Sequence, residues 1–170
     1  MFSVAEFRDA GKGEMQAMAT ADANENTDEP ATPRVLVAHD DVGTLRLIRE
    51  TLGQFGECEI DTSPTAEYAY ELALQRDYAL FMFGLGLPVL NGELLYELLA
   101  KAYPFCHSGA VTCPGVVYIV DPADAGKVEG LQRQARVKGV LVKPLSIDRI
   151  LDRVKSSVKL RDQGASFSGL

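Results

Sequence analysis

The sequence predicts an α/β protein, a parallel sheet with helices on both faces, preceded by an acidic segment. Three observations carry that expectation. From Arg34 onward, strand-length apolar runs alternate with helix-period patterns five times. Three of those runs are almost unbroken in apolar residues, as strands buried on both faces are. Before Arg34 the composition is different: Ala19 to Pro33 is small, acidic and free of large apolar side chains. Such a stretch cannot bury enough surface to offset its ordering entropy.

With 170 residues the chain has room for one domain with tails. We expect a flexible acidic segment over residues 1–33, a domain over 34–160 and a short tail over 161–170. Phe2, Val4 and Phe7 are the apolar residues that could dock near the start, although a fraying terminus is the common outcome.

The elements follow in order. Strands are expected at Arg34–Ala38, Cys58–Thr62, Tyr78–Phe83, Val116–Val120 and Gly139–Val142. The helix after the first is marked by Leu45, Ile48 and Leu52, and the next by Ala66, Ala69 and Leu72. Leu94, Leu95 and Leu98 mark the third, and Val128, Leu131 and Ala135 the fourth. The last carries Ile147, Ile150, Leu151, Val154 and Val158. Ser63 or Thr65, Asn91 and Ser146 have the side chains that cap helix amino termini. Strand–helix alternation of this kind implies right-handed crossovers.

Three separated motifs then align. Val35-Leu36-Val37-Ala38-His39-Asp40-Asp41 with Leu45-Arg46 closes the first strand on acids. Leu87-Pro88 with Asn91-Gly92 follows the third strand, and Gly139-Val140-Leu141-Val142-Lys143-Pro144 forms the fifth strand and its exit. Taken together, residues 34–158 resemble the receiver domain of bacterial two-component response regulators. The resemblance implies a flavodoxin-like doubly wound (βα)5 sheet of order 2-1-3-4-5, with the site at the carboxyl ends of the strands.

The resemblance also implies a role for each position, and this sequence departs from most of them. His39 stands where the family has the first of two acids, and Asp40 keeps the second. Asp41 falls one place further, toward the helix start. Gly84 stands where the family has the phosphoacceptor aspartate. Val120 replaces a hydroxyl residue, Val140 an aromatic switch residue, and only Lys143 with Pro144 persists; that bond is often cis in the family.

Magnesium requires hard oxygen ligands, so one retained acid beside an imidazole is a poor set. We therefore expect no cofactor, no metal site and no aspartyl phosphorylation. Asp77 lies roughly 20 Å away along the third strand, and Asp121 only at the rim. The structural alternatives are that Asp40 caps the first helix and that Lys143 pairs with Asp40. A pH-sensing His39 stays open. Gly84-Leu85-Gly86 lacks the third glycine of a dinucleotide fingerprint. Cys106, His107 and Cys113 lack a fourth zinc ligand, and three cysteines fit a reducing cytoplasm. The Tyr103–Gly115 connection is long and is expected at the end of the sheet opposite the pocket.

Charge sorts the remaining functions. The net −7 divides unevenly: residues 1–33 carry seven acids and two bases, whereas residues 123–170 carry ten bases and five acids. An acidic whole argues against nucleic acid, and the short apolar runs argue against a membrane span. No nucleophile–base pair marks an enzyme. Too few residues follow Val158 for an output domain, so none is expected within this chain.

The expected activity is protein–protein interaction in a bacterial signalling assembly, with a homodimer left open. The partner surface is expected on the fourth helix, fifth strand and fifth helix, through Lys127, Arg133, Arg136, Lys138, Arg149, Arg153, Lys155 and Lys159. Asp148 and Asp152 are interspersed there, and the acidic tail is a candidate competitor for this face. The rival expectation is an atypical receiver still controlled by phosphorylation.

Overall fold

The strands are short and, except for the polar Glu59–Ser63, mainly apolar, and four of the five are followed by a helix with a side-chain cap at its start. The computed structural model describes residues 31–110 and 112–162. The elements are β1 (Arg34–Ala38), α1 (Val42–Phe55), β2 (Glu59–Ser63), α2 (Ala66–Gln75), β3 (Leu80–Gly84) and α3 (Gly92–Cys106). They continue as β4 (Gly115–Val120), a 3-10 segment (Pro122–Lys127), α4 (Val128–Gln132), β5 (Val137–Val142) and α5 (Ile147–Val154). The strands form one sheet of order β2-β1-β3-β4-β5, with every neighbouring pair parallel. This is the predicted topology. The expectations for residues 1–30 and 163–170, including the docking of an acidic tail, lie outside the described residues.

Alternation along the strands divides the core between two faces. Val35, Val37, Leu80, Met82, Val117, Ile119 and Leu141 pack against α1 and α5. Leu36, Phe81, Phe83, Tyr118, Val120 and Val140 pack on the other face with α2, α3 and α4. Phe81 and Tyr118 are essentially solvent-free, and burying a side chain of that class contributes about 1.5–3 kcal/mol.

The caps are local. Thr65 accepts the Tyr68 N–H at 3.2 Å, Asn91 the Leu94 N–H at 2.9 Å and Ser146 the Arg149 N–H at 3.4 Å. For α1 the cap is Asp41, not Asp40. Its carboxylate accepts the Gly43 and Thr44 N–H groups at 3.3 and 2.9 Å and the Thr44 hydroxyl at 2.6 Å. Those bonds, the Thr44 hydroxyl foremost, hold the Asp41 carboxyl below the usual carboxylate range.

Several boundaries differ from expectation for physical reasons. β3 runs through Gly84, which pairs with Ile119 of β4. α3 turns a different face inward: Leu95, Tyr96, Leu99 and Tyr103 are buried, while Leu94 and Leu98 are 44% and 40% exposed. The aromatic rings decide this, because Tyr96 and Tyr103 meet Phe81 edge-on at 6.4 and 6.0 Å. The fourth helical segment begins as a 3-10 run at Pro122 and yields only five α-helical residues. Gly126 and Gly130 within it disfavour a longer helix.

Candidate functional site

The carboxyl ends of β1, β3, β4 and β5 converge, and the chain leaves each strand there with a residue named by the sequence. His39 continues β1 by donating its N–H to the Ser63 carbonyl at 3.0 Å. Its ring is turned inward and buried. The ring lies against Gly84, where an added Cβ would meet His39 Cδ2 at 2.8 Å and Nε2 at 3.3 Å. The imidazole thus occupies the space that a side chain at position 84 would need.

Hydrogen bonding sets the state of that ring. His39 Nδ1 accepts the Asp41 N–H at 2.9 Å, so its proton resides on Nε2. Burial, and next the positive charge of Lys143, lower the His39 pKa and favour the neutral ring. Asp40 Oδ1 lies 3.3 Å from the same Nδ1 and is half-exposed.

Lys143 donates its backbone N–H to the Val120 carbonyl at 2.9 Å. Its ammonium pairs with Asp121 at 3.3 Å. Asp40, expected as that partner, lies beside the His39 ring instead, with Nδ1 already taken by the Asp41 N–H. The reason is geometric: Val120 pairs with Val142, so Asp121 and Lys143 leave β4 and β5 side by side. The Lys143–Pro144 peptide is cis. Val120 and Val140 are buried in the core on the α2/α3/α4 face.

The Asn91-Gly92 pair has a tertiary reason. A Cβ on Gly92 would come 2.5 Å from the Gly84 carbonyl oxygen, so only glycine lets α3 begin this close to β3. Between them, Val89 has φ 68° and is 95% exposed. That backbone region is unfavourable for a β-branched residue.

The basic residues that the sequence groups on one surface separate into distinct settings. Arg149 and Arg153 line a cleft of about 450 Å³ between α4, β5 and α5, together with Val140, Asp148 and Asp152. Arg153 lies across Gly139, where a Cβ would collide with its stem, and donates to the Val140 carbonyl at 3.4 Å on the free edge of β5. Lys127, Lys155 and Lys159 are each paired, with Asp124, Asp152 and Glu57. Arg136 and Lys138 line another cleft, at the opposite end of the sheet. Arg133 is exposed and lines neither.

Cys106, His107 and Cys113 do not converge. Cys106 is exposed, whereas Cys113 is buried, and burial pushes the Cys113 thiol up to about 11. His107 is buried, with Nδ1 2.5 Å from Asp77 and Nε2 2.7 Å from the Ala73 carbonyl. Its ring stacks on Tyr103 at 3.9 Å. This contact ties the ends of α2 and α3 together. Its partners lie about thirty residues apart in sequence, so no local pattern announced it. Among the described residues, no group of three or more His, Cys, Asp or Glu side chains is disposed to hold a metal ion.

No protein-family profile and no curated protein sequence matches this chain. Solved structures do. A response regulator receiver domain protein from Clostridium thermocellum superposes with a TM-score of 0.61 at 14% identity, covering 74% of this chain and 93% of that one. A sensor protein from Polaromonas sp. JS666 gives 0.61 at 25% identity, covering 74% and 94%. The receiver domain of a Francisella response regulator gives 0.58 at 24% identity, covering 74% and 95%. The fold is that of a receiver domain. Among the described residues, no helix is long and apolar enough to cross a membrane.

Proposed function

We propose that this chain is a pseudo-receiver, a signalling module of the two-component type that works by binding a protein partner rather than by accepting a phosphoryl group. The observation that carries this reading is the His39 ring seated against Gly84. It fills the position from which a phosphoacceptor carboxylate would project. The donor set for magnesium does not fit either. Gly84 offers no ligand, His39 Nδ1 is taken by the Asp41 N–H, and Asp41 is spent on capping α1. Asp40 alone remains, and a magnesium ion needs more oxygen ligands than that. Lys143 is neutralised by Asp121, and Val120 and Val140 lack the groups that would register a phosphoryl oxygen.

The cleft of α4, β5 and α5 supplies the partner surface, with Arg149 and Arg153 as its charged rim. Arg149 has no carboxylate within ion-pair distance among the described residues, which leaves it available to an acidic partner. In this reading the protein is not an enzyme, takes no cofactor and acts in the cytoplasm.

Incubation with a small-molecule phosphodonor and magnesium, followed by intact mass, tests the central claim. The expected spectrum is unchanged. A stable added phosphoryl mass would establish the rival reading, a receiver still controlled by phosphorylation.

A further inference from the structure

The second cleft lies at the amino-terminal ends of β4 and β5, away from the receiver pocket. We propose that it is an anion site for a phosphate group, either inorganic phosphate or a small phosphate ester, held by Arg136 and Lys138. The cleft measures about 460 Å³, and its lining includes Arg136, Lys138, Thr112, Ser156 and Ser157 and, among the described residues, no acid. That volume is within the range of small-molecule sites. In a chain of net charge −7, such a cleft with two cations is a local inversion of the surface field.

The chain builds this arrangement. The β4–β5 ladder slips between Val116 and Val117, so Val116 pairs with Val137 and Val117 with Gly139. Lys138 is the residue left over, a bulge without a partner across the ladder. Its stem lies over Gly115, where a Cβ would meet Lys138 Cγ at 2.6 Å. Arg136 is held by its carbonyl, which accepts the Val116 N–H at 3.1 Å. Burial makes the Tyr96 and Cys113 groups weaker acids, and the nearby Arg136 guanidinium partly offsets this in both, so its charge sits at the cleft wall.

Neither cation has a carboxylate within 4 Å among the described residues, whereas Lys127, Lys143, Arg153, Lys155 and Lys159 all do. The chemistry suits phosphate. A guanidinium fork matches two phosphoryl oxygens, an ammonium adds a point charge, and the hydroxyls can donate to the remainder.

Titration of the full chain with inorganic phosphate at constant ionic strength, with chloride as the balancing ion, tests the site by amide NMR. Saturable shifts are expected at the amides of Gly115, Lys138, Ser156 and Ser157. R136M and K138M should each weaken binding about tenfold, the loss of one charge-assisted hydrogen bond, and K138M retains the stem over Gly115. R149M, in the other cleft, should leave affinity unchanged. Glycerol phosphate binding more tightly than phosphate would assign an ester, and equal binding the free anion. Shifts that are absent, matched by chloride, or undiminished in R136M and K138M with amide dispersion retained would overturn the proposal. If either variant loses dispersion, S156A/S157A substitutes for it, and unchanged affinity there counts against the site.

Discussion

His39 and Gly84 form one unit whose members are distant in sequence and in contact in space. Each alone looks like a lost carboxylate; together they are a steric exchange in which an imidazole fills the room a side chain would take. Gly84→Ala should therefore cost about 1–3 kcal/mol, the range for overfilling a packed site. Adding His39→Ala should recover part of that loss, because contacting residues are not additive. Urea unfolding of the two single variants and the double variant measures the coupling, and strict additivity would refute the contact. For the same reason Gly84→Asp alone restores a residue type without restoring its space. The sequence placed Asp41 toward the helix start but gave the cap to Asp40, and the structure moves it to Asp41. The Asp121–Lys143 pair was not legible in the sequence, because it depends on which strand exit lies beside β5.

At the level of elements, helix and strand periods located the pieces, and side-chain packing chose their rotation. α3 is the clearest instance. Its leucines are consecutive enough to support two faces, and the period alone favoured Leu94, Leu95 and Leu98. Contacts of Tyr96 and Tyr103 with Phe81 turn Leu95 and Leu99 inward instead. Leu99→Ala should lose about 2–5 kcal/mol as a buried truncation, and Leu98→Ala no more than about 0.5 kcal/mol. Thermal or urea unfolding distinguishes them, and equal losses would contradict the observed rotation. The fourth segment shows a different limit, since Pro122, Gly126 and Gly130 break a pattern that apolar spacing alone extends to Ala135.

For the whole molecule, pH connects the pocket to global stability. The folded state lowers the His39 pKa below its usual 6.5, through burial first and Lys143 second. As pH falls through the usual histidine value, the unfolded chain takes up a proton that the fold refuses. Stability from this group is thus complete above about pH 6.5 and declines until the lowered folded value is reached. Asp41 works in a separate window: its lowered carboxyl contributes above the ordinary aspartate range and loses that contribution only in stronger acid. Denaturant unfolding between pH 7.5 and 5 should show a decline in the wild type that is shallower in His39→Gln. Parallel curves would remove His39 from the account. Charge at this scale is also redistributed by folding, because bases counted as one block in the sequence fall into two clefts and several ion pairs.

By itself the sequence determined the α/β class, the order of elements, three of the caps considered and the glycine at position 84. These follow from local composition, period and motif order, which survive without knowledge of contacts. Only the tertiary structure decided that His39 occupies the space beside Gly84, that Lys143 answers to Asp121, and that Arg136 and Lys138 share a cleft at the other end of the sheet from Lys143. Each depends on residues brought together across the parallel sheet, where strand order and register, rather than spacing along the chain, set who meets whom.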